Sequence, residues 1–130
     1  MPNPYLTSKV MTASPHQLLL MLYDGAIQFT ERAIRHLQQK QLVNALEPLS
    51  RALAIVQELQ SCLNPKHAPE LCQNLENLYM FMEDQILRAQ RERSAAPLLP
   101  VATILKDLRE AWAKAIQSIS QPNNNSARVG

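Results

Sequence analysis

The sequence has little of what sheet-rich, secreted or catalytic domains lean on. Two glycines in 130 residues leave no phosphate-cradling Gly-rich loop and few tight hairpins. Two cysteines, Cys62 and Cys72, are too few for a disulfide scaffold and fit a reducing compartment, although a bridge between them across a turn stays open. Charge of one sign is also missing. With 13 basic against 11 acidic residues, neither a nucleic-acid binder nor an acidic tail is expected. The longest apolar run is 18 to 23, too short for membrane insertion, and the first 15 residues hold no stretch of signal-peptide length.

What remains is a Leu- and Ala-rich chain with 46% hydrophobic residues, sized for one domain with one core. Its periodicity predicts an all-α, antiparallel up-down four-helix bundle over 15–119. An extended N-terminal segment, 1–14, precedes the bundle, and 120–130 (QPNNNSARVG from Gln121) is expected to be disordered. Ser14, Pro15 and Gln17 form an N-cap, a first-turn proline and a capping box, which start a helix running to about Leu37. Gly25 in its middle is read as a contact point between backbones. A second helix from about Asn44, its cap, to about Leu63 carries an early Pro48 that predicts a kink. Pro69 opens a third, to about Arg91, and Arg88, Arg91 and Arg93 complement its negative end. SAAPLLP, ending at Pro100, reads as a linker, and the fourth helix follows from about Val101 to Ile119. Leu19, Leu22, Ala26, Leu53, Val56, Leu75, Leu78, Met82, Leu108 and Trp112 are the expected core.

No catalytic constellation emerges. His16, His36 and His67 lie on separate elements without a ligand three or four residues away, and no nucleophile elbow is present, so no enzyme, metal or cofactor is expected. The pattern has too many apolar faces instead. Helix 2 has a second seam (Ile55, Leu59, Cys62), and helix 3 carries Met80 and Leu87, seven residues apart, on its far face. Ile55, Leu59, Met80 and Leu87 are therefore the expected surface for a protein partner.

The stretch TASPHQLLLMLYDGA, Thr12 to Ala26, resembles the start of the flagellar export chaperone family, the FliS flagellin chaperones. The likeness continues through RALAIVQEL, ELCQNLENLY and LREAWAKAI and spans about residues 5 to 117. Where the family usually has two glycines before helix 3, this chain has Ala68 and Pro69, and the basic pair that commonly follows the third helix's Tyr-rich run is here Asp84 and Gln85. The resemblance implies a cytoplasmic export chaperone. It would bind the disordered C-terminal segment of flagellin, prevent early polymerisation and deliver it to an export-gate protein of the type III apparatus. The client-free chain could form a homodimer. It also implies that Tyr5, Leu6 and Val10 belong to a removable N-terminal cap over part of the client groove. A helical adaptor binding another protein through the same grooves is the alternative reading.

Overall fold

The computed structural model describes residues 13–120. Within them the chain forms four helices, α1 (Pro15–Gln38), α2 (Leu42–Ser61), α3 (Pro69–Glu92) and α4 (Leu98–Ser120), and no strand. The expected all-α four-helix bundle is what is found. The N-terminal segment up to residue 12 and the tail from residue 121 lie outside the described residues.

α1 starts as its sequence dictates. Ser14 Oγ accepts the Gln17 N–H at 3.2 Å, and Gln17 Oε1 accepts the Ser14 N–H at 2.9 Å, so two donors that helix geometry leaves free are satisfied reciprocally. α2 begins two residues earlier than its apparent Asn44 cap. Gln41 occupies the cap position without a side-chain bond to the helix, and its Oε1 pairs with His36 Nδ1 at 2.8 Å instead. Half-buried Leu42 packs against the core, and this apolar contact sets the helix start. α2 runs on through the buried Pro48, which has no N–H to give the carbonyl of Asn44. Its end comes at Ser61, short of Leu63.

The largest shift is in α4, whose first three residues fall inside the expected linker. Leu98, Val101, Ala102 and Leu105 are all buried, so helix formation from Leu98 turns one apolar face inward. Pro100 is the third residue of the helix, where no N–H donor is needed, and therefore does not interrupt it.

Each helix packs on its sequence neighbours, and α4 returns to α1, closing the bundle. Arg109 Nε lies 2.9 Å from Asp24 Oδ1 and Lys106 Nζ 3.5 Å from Glu31 Oε2, so numbering rises along α1 as it falls along α4. Arg109 is part-buried in this contact. Ala26, Val56, Leu75 and Met82 occupy the core as expected. Leu19, Leu22, Leu53, Leu108 and Trp112 sit at its margin, and Leu78 is half-buried. Alongside Val56 and Met82, the centre holds residues outside the expected set, above all Tyr23, Tyr79, Ile86, Leu98 and Leu105. Gly25 also differs from its expected role. A Cβ there would meet Ile55 Cδ1 at 3.1 Å, so a side chain, not a backbone, fills the space over it.

A polar chain crosses this core. The Trp112 indole N–H donates to the Tyr23 hydroxyl at 3.2 Å, and the Tyr23 and Tyr79 hydroxyls share a hydrogen bond, joining α4, α1 and α3. Burial pushes both phenols above their ordinary ionisation range; for Tyr79 the bond to Tyr23 adds to the effect.

Candidate functional site

Of the four residues expected to meet a partner, the structure brings only Met80 and Leu87 to one open surface. They are 54% and 45% exposed, one above the other on α3. Leu59, by contrast, is 1% exposed and belongs to the core, so it cannot be touched from outside the folded bundle. Ile55 is half-buried and packs at the α1 side of α2, over Gly25. Counting apolar residues along α2 could not separate these two seams, because both are apolar and the difference lies in which neighbouring helix covers each. The cap residues Tyr5, Leu6 and Val10 lie outside the described residues.

Two further exposed apolar side chains were not expected. Val43 is 80% exposed and Leu46 50%, both near the start of α2. Because α2 and α3 are antiparallel, this start lies beside the end of α3. A cavity of about 340 Å³ opens there, lined by Leu37, Leu42, Val43, Leu46, Leu49, Gln90 and Arg93. The polarity of HLQQKQ hides it in the sequence, since the turn reads as plain solvent-facing loop. At 100° per residue, Glu76, Met80, Glu83, Leu87 and Gln90 fall on the flank of α3 turned toward α2. Met80 and Leu87 therefore share a flank of α3 with Gln90, one to three turns before the cavity, without lining it.

Glu76 and Glu83 share this flank of α3. Glu83 Oε1 is buried with no hydrogen-bond partner. Arg93 lines the cavity, Arg91 is exposed at the end of α3, Lys40 stands in the turn before α2 and Arg35 in the last turn of α1; none of these four forms an ion pair among the described residues. Arg88 differs from them because its Nε pairs with Glu92 at 2.7 Å, a local contact beyond its expected role at the helix end.

Leu71 and Phe81 on α3 and Ile119 near the end of α4 are exposed as well. Both cysteines are free thiols. Cys72 Sγ donates to Asn64 O at 3.1 Å, so its hydrogen holds the loop before α3. No helix among the described residues is long and apolar enough to cross a membrane.

A small bundle that holds its polar chain in the core and leaves Val43, Leu46, Met80, Phe81 and Leu87 exposed has the build of helical proteins that bind other chains. The family model described as flagellar protein FliS matches residues 1–119. A flagellar secretion chaperone FliS from Salmonella typhimurium is 38% identical over 106 residues, covering 81% of this chain and 78% of its own. One from Bacillus subtilis is 31% identical over 130 residues, covering 98% and 96%. A solved structure described as a flagellar chaperone from bacteria matches the fold with a TM-score of 0.74 at 22% identity, over 88% of this chain and 96% of that one. The chain belongs to the FliS family, whose members are flagellar secretion chaperones and not enzymes.

Proposed function

We propose that this protein is a cytoplasmic export chaperone that holds the disordered C-terminal segment of flagellin, keeps it from polymerising early and hands it to the export gate of the flagellar type III apparatus. The observation that carries this reading is the exposed apolar surface of Val43, Leu46, Met80 and Leu87 on a chain of this family. A disordered amphipathic segment gains helical order by burying its apolar face against such a surface, and the exchange needs no cofactor.

Magnitudes argue that this surface alone is not enough. Covering four half-exposed side chains contributes roughly 3–6 kcal/mol, while association and ordering cost at least about 4. The client therefore engages Leu71 and Phe81 as well, wrapping from one side of α3 to the other.

Isothermal calorimetry with a C-terminal fragment of the cognate flagellin tests the reading. Met80→Asp with Leu87→Asp is expected to weaken binding by at least about tenfold while leaving the thermal midpoint within a few degrees, since both side chains are half exposed. Normal binding by the double variant makes this face ordinary surface. If the fragment fails to bind and another protein co-purifies, the adaptor reading replaces this one.

Tyr5, Leu6 and Val10 belong, on this reading, to a segment that covers client-binding surface when flagellin is absent. Burying two such side chains is worth roughly 3–5 kcal/mol before ordering costs, enough to shield a groove yet displaceable. A chain lacking residues 1–11 is expected to bind the fragment more tightly or to self-associate. Unchanged affinity with no new association sinks the cap.

A further inference from the structure

We propose that the end of the bundle where α1 and α3 stop and α2 and α4 begin docks against an anionic lipid surface, a bilayer whose head groups carry phosphate without a balancing ammonium. The inference goes beyond the client reading and does not depend on it.

The net charge of +2 hides an uneven distribution. Arg35, Lys40, Arg91 and Arg93 gather at this end, all of them exposed and none in an ion pair among the described residues. The carboxylates nearest to them in the helices, Glu47 and Glu92, are already paired with Arg51 and Arg88. Cations beside the last turns of α1 and α3 offset the negative ends of those helices, which accounts for their presence. The starts of α2 and α4 are different. A helix N-terminus carries a partial positive charge that acidic residues normally offset, yet neither helix has an acidic residue in its first turn, and α2 has no side-chain cap. The positive field of this end is therefore left without a counter-charge from the chain. At the opposite end the groups outside ion pairs are Glu58, Glu70 and Glu76 against Lys66, among the described residues.

Apolar side chains decide which kind of anion fits. Val43 is 80% exposed just after Lys40, where the apolar-walled cavity opens, and Leu99 is 50% exposed at the start of α4. Lys106 pairs with Glu31, and the seven residues from Lys106 to Leu99 match the seven from Glu31 to Gln38, so Leu99 comes level with the end of α1. The apolar tips thus stand on α2 and α4, with the cations on α1, α3 and the turn. The end of four packed helices is about 20 Å across, and groups distributed over all of it suit a plane more than a single peptide strand. A soluble polyanion offers nothing to Val43 and Leu99. A lipid surface supplies both partners, charged head groups and hydrocarbon a few ångströms beneath. The contact is peripheral, since no described helix is long and apolar enough to enter and cross the bilayer.

Vesicle flotation of the full, client-free chain tests this. The chain is expected to float at low salt with vesicles of equal parts phosphatidylglycerol and phosphatidylcholine, and to stay behind with phosphatidylcholine alone or at high salt. Each Lys or Arg near an anionic surface strengthens binding about fivefold. Lys40→Glu with Arg91→Glu is therefore expected to weaken binding at least about thirtyfold, with an unchanged thermal midpoint because both side chains are exposed and outside ion pairs. Lys66→Glu with Lys114→Glu makes the same change of net charge toward the opposite end and is expected to leave binding within about twofold. Val43→Trp is expected to shift its emission to the blue on the anionic vesicles. Failure to float with them, equal losses in the two double variants, or an unshifted tryptophan in the bound state each overturns the proposal. Binding to soluble polyglutamate as tight as binding to the vesicles also overturns it, since the partner is then an acidic chain. None of these outcomes bears on flagellin binding, which calorimetry reads separately.

Discussion

Thr30 is fully buried on α1, and its hydroxyl finds no hydrogen-bond partner. A hydroxyl left unsatisfied in a core costs about 1–3 kcal/mol, whereas a methyl in its place costs nothing of that kind. Thr30→Val is therefore expected to raise stability by about 1 kcal/mol, read as a higher denaturant midpoint with an unchanged slope. The phenols show the opposite case, polar groups that are paired. Both have folded ionisation constants above the unfolded value of 10.0. Their contribution to stability is complete below about pH 10 and is lost as pH rises past it, because the unfolded chain releases its phenolic protons first. Chemical denaturation between pH 8 and pH 11.5 should show stability falling on the alkaline side, and Tyr79→Phe should make that fall shallower. Sequence periodicity identified Ala26, Val56, Leu75 and Met82 as core because nothing competes with their burial. It left Tyr79 out of the expected core, since a hydroxyl counts against burial until its partner is known, and Tyr23 stands on another helix.

At the scale of the element, local chemistry decided the helix starts that carry local signals. The capping box at Ser14 and the proline at Pro69 open α1 and α3 where they stand in the sequence. Where the start is set by long-range packing, as with Leu42 and Leu98, punctuation misleads, and a proline-flanked stretch that looks like linker becomes the first turn of α4. Even a locally signalled start can carry a cost, as Ala68 shows. It precedes α3 with φ of 48°, in the left-handed region, where a Cβ costs roughly 1 kcal/mol or more. Ala68→Gly is expected to stabilise the protein by a few tenths to about 1 kcal/mol, since relief of that cost exceeds the added freedom of the unfolded chain. Equal or lower stability by thermal denaturation would mean that the alanine sits there without strain.

For the whole molecule, the order of helices and their antiparallel packing were legible because four apolar stripes joined by short turns have few other ways to bury themselves. The family was legible from Thr12 to Ala26. The candidate surface was legible only in half: Met80 and Leu87 stand out on α3, but the cavity is assembled from the end of α1, the start of α2 and the end of α3, which no single stretch of sequence displays. The buried core is drawn from residues between Tyr23 and Leu105, all inside the described helices. Removing residues 1–11 is thus expected to leave cooperative unfolding in place, and a change in client affinity in that variant then reports on the client surface and not on folding.

The polar chain through the core has an optical consequence as well. Trp112 is the only tryptophan of the sequence, and its indole is joined directly to one of three tyrosines and through it to a second. Light absorbed by those tyrosines passes to the indole while α1, α3 and α4 stay together, and is re-emitted as tyrosine fluorescence once they part. The bundle thereby carries its own label-free gauge of whether it holds its shape as a client arrives and departs.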